Sequence, residues 1–164
     1  MLMNIRKATE ADLPDILEII NYNILHSTAI YDYKPRSLSD QQKWFAEKQK
    51  TGMPVIVAEA NEIVTGFGTY GIFRPKEAYK FCVEHSVYVN NHFTGQGIGK
   101  QLLTDLIRLA KIQGMHTMIA GIDAENVDSI RFHEKFGFIE AGRLFQAGYK
   151  FNRWLDLVFM QMML

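Results

Sequence analysis

The chain has 164 residues, of which 48% are apolar and 22% are charged, as in an ordinary globular protein. This length suits one domain with a sizeable core, and the sequence contains no linker, repeat or low-complexity tract, so we expect a single domain over residues 1–164. Lysine plus arginine and aspartate plus glutamate number 18 each. This balance disfavours nucleic acid or an anionic membrane as a partner.

No apolar run reaches the about 18 residues that a membrane span requires. The N-terminal stretch "MLMNIRKATEADLP" becomes charged too early for a secretory signal. Cys82 is the only cysteine, which excludes an intrachain disulfide and a cysteine metal cluster. Because Cys82 lies in an apolar, strand-like run, we interpret it as a buried inert thiol rather than a nucleophile. The expectation is a cytoplasmic protein without a metal.

The first third of the chain predicts a strand followed by two helices. The strand is "MNIRKA", and "TEADLPDILEIINYNIL" follows with helical apolar spacing. Thr9 and Asp12 have the spacing of a capping box at its start. The second helix, "SLSDQQKWFAEKQK", has Ser37 as its cap and ends at Gly52.

The rest of the chain predicts six strands and two helices. Three strands, "MPVIVAEA", "EIVTGFGTYGIF" and "YKFCVEHSVYV", come in succession, the first two joined by a turn around Asn61. A helix then runs to about Gln113, followed by the strand "MHTMIAGID" and the short helix "NVDSIRFHEKFGF", which ends at Gly137. Strands near 138–148 and 154–163 close the chain.

The resulting order is β-α-α-β-β-β-α-β-α-β-β. A meander of three strands excludes a doubly wound nucleotide fold, in which strands and helices alternate throughout. The order predicts an α/β protein with a central mixed sheet, helices on both faces and one strand–glycine turn–helix unit.

The stretch "HFTGQGIGKQLL" (92–103) forms that glycine turn. Glycines bring backbone N–H groups close to an anion, and a helix N-terminus adds unpaired N–H groups. A P-loop would need glycine at Thr94 and Ser or Thr at Gln101, and a dinucleotide fingerprint starting at Gly95 would need glycine at Lys100. Both known spacings fail. A phosphate site of another kind and a ligand-free tight turn remain open.

Several motifs together resemble the GNAT superfamily of N-acetyltransferases, in particular its phosphinothricin and methionine sulfoximine acetyltransferase branch. The superfamily's pyrophosphate motif [QR]-x-x-G-x-[GA] is similar to "TGQGIG", with Thr94 departing from the usual glutamine or arginine. The resemblance extends to "NILHSTAIYD", "VEHSVYV", "AGIDAENVDSIRFHEKFGF" and "GYKFNRWLDLVFMQ", in the same order over nearly the whole chain. It implies an acyl-CoA N-acyltransferase fold in which two central parallel strands splay apart.

The resemblance also implies acetyl-CoA as cosubstrate, held without a metal. Its pantetheine arm would pair like an added strand with Val87, Tyr88 and Val89. The turn would hold the pyrophosphate through Gly95, Gln96, Gly97, Ile98, Gly99 and Lys100. Asn126 and Ser129 would contact the cofactor as well, although Asn126 is equally a natural N-cap.

For catalysis, the resemblance implies acyl transfer from a thioester to an amine. Glu84 would take the proton of the amine, directly or through a water molecule, and His133 would protonate the leaving thiolate. The reverse assignment, with His133 as the base, stays open. A backbone N–H near Tyr88 or Val89 would stabilise the oxyanion.

The implied acceptor is a small amino acid such as phosphinothricin, methionine sulfoximine or methionine sulfone, acetylated on its α-amino group. The expected contacts come from a loop and from the strand of Glu84. They are Tyr31, Phe73, Arg74, Pro75, Lys76, Glu84, His85 and Ser86. The alternatives are a peptide or polyamine acceptor, or a non-catalytic acetyl-CoA sensor. A basic "FRPK" loop disfavours polyamines.

The apolar final strand "WLDLVFMQMML" would leave an exposed edge if it were unpaired. The resemblance implies a homodimer in which the C-terminal segments approach the partner's site. Core packing within one chain is the competing explanation for the same residues.

Overall fold

A computed structural model describes residues 3–164, so the first two residues of the expected single domain lie outside it. The observed order of helices and strands is the expected one. The strands are β1 (Asn4–Lys7), β2 (Val55–Ala60), β3 (Ile63–Ile72), β4 (Cys82–Val89), β5 (Thr117–Asp123), β6 (Ile139–Lys150) and β7 (Arg153–Met163). The helices are α1 (Leu13–His26), α2 (Leu38–Lys50), α3 (Ile98–Ile112) and α4 (Val127–Glu134).

The predicted helix starts are close to the observed ones. Ser37 caps α2, because its hydroxyl accepts from Asp40 N at 3.1 Å. Thr9 precedes a short 3-10 turn, and Asp12 accepts from Thr9 N at 2.7 Å before α1 begins at Leu13. Within residues 3–164, no helix is both long and apolar enough to cross a membrane.

The strands form one mixed sheet in the order β1-β2-β3-β4-β5-β7-β6. Helices α1 and α2 pack on one face, around Phe67 and Val57, and α3 with α4 packs on the other, around Val83 and Met118. Side chains alternate between the faces of a strand, so the two apolar faces of the sheet each receive a helical layer. The mixed sheet with helices on both faces is confirmed.

The only parallel neighbours in the described sheet are β4 and β5, and they splay. Their ladder runs from Cys82↔Thr117 to Glu84↔Ile119, where it ends. Beyond that point β4 follows β3 as far as Val89, whereas β5 follows β7 as far as Asp123. Each strand keeps its antiparallel partner, so the twist of the sheet opens a wedge between them.

The final strand is paired with neighbours rather than exposed at an edge of the sheet. β7 is paired on both sides, with β5 and β6, and it buries Leu155, Val158 and Met160. Core packing within the chain therefore accounts for the apolar residues of β7. The edge strands of the sheet are β1 and β6, and the residues of β6 from Ile139 to Ala147 are all exposed.

Candidate active site

The wedge between β4 and β5 opens into a cavity of about 1060 Å³. Glu84–Val89 of β4 form one wall and Ala120–Asp123 of β5 form another. Part of α4 and the loop between α1 and α2 complete the lining. A cleft where adjacent parallel strands separate is a common ligand site in α/β sheets.

The β4 wall presents backbone as well as side chains. Val87, Tyr88 and Val89 pair with β3 on one edge, while their β5-facing edge lies past the end of the β4–β5 ladder. An open strand edge of this kind can hydrogen-bond an extended ligand as an added strand would.

The glycine turn leads from this wall into α3. Gly95 and Gly97 both have φ +78°, a left-handed conformation that favours glycine, and neither has a neighbour among residues 3–164 that a Cβ would touch. The first helical bond runs from Gln101 N to Gly97 O, at 3.2 Å. The N–H groups of the preceding residues, 98–100, therefore lie unpaired at the helix N-terminus, where an anion binds favourably.

A second cavity of about 740 Å³ lies over this turn and holds Lys100 and Lys135 on its wall. It shares Thr94, Gly99 and Phe132 with the first cavity, so the two form one continuous groove. The groove leads from the interior of the wedge to a helix N-terminus flanked by two cations. An elongated molecule with an anionic end fits this shape.

Glu84 is the half-buried carboxylate at the closed end of the wedge. It lies over Gly121 of β5, where a Cβ would come within 3.0 Å of Glu84 Oε1. Burial raises the pKa of Glu84, and the positive charge of Arg74 opposes that rise. A carboxylate with a raised pKa in a cleft is a natural proton acceptor.

His133 reaches the same cavity from α4 and is buried beside His85. Their Nε2 atoms are 3.1 Å apart, and Phe138 packs on both rings. Strand alternation separates His85 from Glu84 and Ser86, because His85 faces the α4 side of the sheet. The side chains of His85 and Glu84 therefore lie on opposite faces of β4.

Asn126 and Ser129 both line the cavity at the start of α4. Asn126 Oδ1 accepts from Ser129 N at 3.1 Å, which makes Asn126 the N-cap of the helix. The cap uses only the amide oxygen of Asn126, so its NH₂ group stays available for a ligand.

The predicted acceptor contacts divide into two groups. Tyr31, Glu84, His85 and Ser86 line the cavity. The "FRPK" segment (73–76) follows the end of β3, with Arg74 over the Phe73 ring at 5.1 Å. Phe73 in turn packs edge-on against Phe159, whose strand partner is Gly121. None of residues 73–76 lines the cavity itself; they form a rim that is near enough to Glu84 for the charge of Arg74 to act on that carboxylate.

The loop that carries Tyr31 is held onto the β6–β7 hairpin. The buried Lys150 donates to Ser27 O at 2.8 Å and to Ile30 O at 2.6 Å. Tyr33 donates its hydroxyl to Tyr149 O, and Thr28 donates to Asp123. These bonds join the loop to the ends of β5 and β6 and keep Tyr31 on the cavity wall.

The sequence did not single out five charged residues on the groove walls: Asp32, Arg36, Asp123, Asp128 and Lys135. Arg36 donates to Asp32 at 2.9 Å, and Asp123 pairs with Arg153 at 3.5 Å. Four of them lie within stretches that resemble the family, but nothing in those stretches marks them as wall residues, and Arg36 lies outside every such stretch. Only their position around the wedge reveals them.

A family model described as acetyltransferase (GNAT) family matches residues 20–138. The chain is 42% identical over 162 residues to an L-methionine sulfoximine/L-methionine sulfone acetyltransferase of Salmonella typhimurium, covering 99% of this chain and 95% of the relative. An N-acetyltransferase structure from Staphylococcus aureus Mu50 superposes with a TM-score of 0.98 at 46% identity, covering 99% of both chains. A phosphinothricin acetyltransferase structure from Sinorhizobium meliloti, in complex with acetyl-CoA, gives 0.96 at 36% identity, covering 100% of this chain and 89% of that one. Together with the splayed strands and the glycine turn, these matches show that the chain belongs to the acetyltransferase (GNAT) family.

Proposed function

We propose that this protein transfers the acetyl group of acetyl-CoA to the α-amino group of a small amino acid of the methionine sulfoximine, methionine sulfone or phosphinothricin type. The observation that carries the proposal is the continuous groove joining the carboxylate of Glu84 to the N-terminus of α3. Relatives named for these acceptors align with the chain over nearly its full length.

In this proposal the groove binds acetyl-CoA in an extended form. The open edge at Val87, Tyr88 and Val89 pairs with the pantetheine amides. The turn from Gly95 to Lys100 takes the pyrophosphate on its N–H groups, supported by the charge of Lys135. Asn126 and Ser129 contact the cofactor from the first turn of α4. No metal takes part.

The chemistry forms a C–N bond and breaks a C–S bond. Glu84, directly or through a water molecule, takes the proton that the attacking amine loses. A backbone N–H near Tyr88 or Val89 stabilises the oxyanion, and CoA leaves as a thiolate that receives a proton. His133 reaches the same cavity from α4, and its role is either to donate that proton or to fix the pocket.

The acceptor is proposed to lie between Tyr31, Ser86 and the rim segment with Phe73, Arg74, Pro75 and Lys76. Arginine binds a carboxylate in a bidentate manner, which suits Arg74 at the rim. Arg36 is a second such group, because it lines the cavity on the loop next to Tyr31. Two guanidinium groups match an acceptor that carries a carboxylate and a polar head.

A polyamine or peptide amine is the second candidate acceptor. The observation in its favour is the set of carboxylates on the cavity wall: Asp32, Glu84, Asp123 and Asp128. Asp32 and Asp123 are paired with arginines, which weakens their attraction for an amine. A non-catalytic acetyl-CoA sensor is the third candidate, and the presence of a half-buried carboxylate, Glu84, on the cavity wall argues against it.

The test is release of free CoA from acetyl-CoA with methionine sulfoximine, phosphinothricin, glutamate, spermidine and a peptide amine in parallel. We expect turnover with the first two acceptors and little with the others. Turnover confined to spermidine or the peptide would overturn the acceptor class. Tight acetyl-CoA binding by calorimetry, with no turnover in any arm, would instead favour the sensor.

Replacing Gly148 with alanine should impair acceptor binding selectively. A Cβ at Gly148 would lie 2.5 Å from Tyr31 Cε2, so the Tyr31 ring must leave its place on the wall. We expect KM for the amino acid to rise about tenfold and stability to fall by about 1–3 kcal/mol from overpacking. The KM for acetyl-CoA should change little.

Gly142→Ala is the matched control, since it lies on the same strand and its Cβ would have no neighbour within 4 Å among the described residues. Equal effects of the two variants on the acceptor KM would exclude Tyr31 as a wall of the acceptor site.

A homodimer completes the proposal. Edge strand β6 exposes Ile139, Leu144 and Phe145, and Trp154 of β7 adds to the same apolar hairpin. Phe145 is 74% exposed beside the exposed Leu144, and adjoining exposed apolar side chains on an edge strand mark an interaction surface. In a two-fold symmetric dimer, the hairpin of each copy would cover the exposed apolar side chains of the other.

A cytoplasmic location is proposed as well, because the single cysteine, Cys82, is unpaired.

Light scattering on a sizing column tests the dimer. We expect the mass of two chains for the wild type and of one chain for Phe145→Lys, because a buried lysine in the contact would lose its hydration. Ile112→Lys, at an equally exposed apolar residue at the end of α3, should stay dimeric. A wild-type protein that elutes with the mass of one chain at micromolar concentration would refute the dimer.

A further inference from the structure

His85 and His133 form a buried pair that links β4 to α4. Their Nε2 atoms are 3.1 Å apart and their ring centroids 5.1 Å apart. His133 Nδ1 lies 2.7 Å from the carbonyl oxygen of Ser129, one helical turn earlier. Phe132 and Phe138 pack around the two rings, so the pair sits in apolar surroundings.

The contacts determine which nitrogen carries each proton. A carbonyl oxygen only accepts, so His133 Nδ1 must carry a hydrogen and donate it to Ser129. Burial lowers the pKa of both imidazoles, that of His85 to about 3, so both are neutral near pH 7. The neutral His133 then has a lone pair on Nε2, and His85 donates its Nε2–H to it.

This assignment leaves one atom without a role in the free protein. His85 Nδ1 carries a lone pair, and within residues 3–164 it is buried without a hydrogen-bond partner. Both nitrogens of His133, by contrast, are already engaged inside the protein. To accept a proton on Nε2, His133 would therefore first have to break its hydrogen bond with His85, or receive the proton from His85.

We propose that His85 is a positioning residue for acetyl transfer: its Nε2–H occupies the lone pair on Nε2 of His133, whose Nδ1–H is held by Ser129 O, and keeps His133 uncharged. This leaves Glu84 as the base that accepts the proton of the amine. The inference rests on the proposed function of the groove. It assigns His133 a fixed, neutral place in the pocket wall and assigns His85 the task of keeping it there.

Few ionisable groups surround the pair. Tyr70 of β3 is the ladder partner of His85, but its hydroxyl donates to Gln113 and burial raises its pKa to about 12. Glu84 lies on the opposite face of β4, and Asp123 and Asp128 lie elsewhere on the cavity wall. Tyr70 stays neutral across the working pH range, and the charge of Asp123 is paired with Arg153.

The first test reads the tautomers directly, by long-range ¹⁵N–¹H spectra of histidine-labelled protein without substrates. We expect His133 as the neutral Nδ1–H form and His85 as the neutral Nε2–H form at pH 7. A charged ring at pH 7, or the opposite tautomer in either residue, would overturn the proposal. This result stands whether or not the protein acetylates any of the acceptors tested, so it is separate from the test of the proposed function.

The second test compares His85→Gln with His85→Met, which have similar length and volume. Glutamine retains an N–H donor near the position of Nε2, whereas methionine has none. In His85→Met the Nε2 lone pair of His133 loses its donor, so we expect the pKa of His133 to be higher than in His85→Gln, although burial still opposes its charged form. Turnover at pH 6 should then fall about tenfold more in His85→Met than in His85→Gln. Equal losses in both variants, with unchanged pH profiles, would show a purely structural role for His85 and overturn the proposal.

Discussion

Replacing Glu84 with glutamine is expected to lower kcat by about 10²–10³-fold, because general base catalysis typically contributes rate factors of this size. Glutamine has nearly the shape of glutamate but cannot take the proton of the acceptor amine. The affinity for acetyl-CoA, measured by calorimetry, should be retained, since the cofactor is proposed to bind further along the groove. Single-turnover rates with methionine sulfoximine give the measurement.

The pH profile provides an independent reading of the same variant. Burial raises the pKa of Glu84, so the base is lost to protonation at a higher pH than for an exposed glutamate. Wild-type activity should therefore fall as the pH drops through that raised pKa, and Glu84→Gln should lack this limb. Glu47→Gln, on the surface of α2 with a side chain 64% exposed, is the control. Unchanged turnover in Glu84→Gln would remove Glu84 from the mechanism.

Replacing Gly99 with aspartate is expected to weaken acetyl-CoA binding about 100-fold. Gly99 is the second residue of α3 and lines both parts of the groove. A carboxylate there would meet the pyrophosphate at close range, where like charges repel by about 1–4 kcal/mol. Titration calorimetry with acetyl-CoA measures the loss, which should shrink at high salt.

The fold itself should tolerate this change, because aspartate is favourable in the first turn of a helix. Gly99→Ala separates charge from bulk: its Cβ would come no nearer than 3.7 Å to Val89 Cγ2, an ordinary contact. We expect Gly99→Ala to change the affinity by no more than about threefold. If alanine and aspartate weaken binding equally, the groove at Gly99 does not hold an anion.

Local features of the fold were readable because their causes are local. The cap of α2 at Ser37 and the left-handed glycines before α3 follow from the conformations that those residue types adopt. The sites themselves were expected from family resemblance rather than from spacing alone. The glycine turn, taken by itself, left a ligand-free reading open.

The wedge between β4 and β5, in contrast, could not be predicted from any short stretch of sequence. Its opening depends on which neighbour each strand keeps, and strand pairing joins residues far apart in the chain. For the same reason, the sequence did not show whether β7 lies at the edge or inside the sheet. The apolar run of β7 suits either an edge or a core, and only its pairing with both β5 and β6 decides for the core.

The sequence by itself determined the order of helices and strands, the helix starts and the glycine turn at 95–99, since each depends on residues within one or two turns of chain. Tertiary structure alone decided that His85 meets His133 from 48 positions away, and that Arg36 and Lys135 reach the groove. Strand alternation already separates His85 from Glu84, but it says nothing about what lies opposite. The contact of two buried imidazoles arises where β4 packs against α4, and that packing comes from the whole core rather than from any short stretch of sequence.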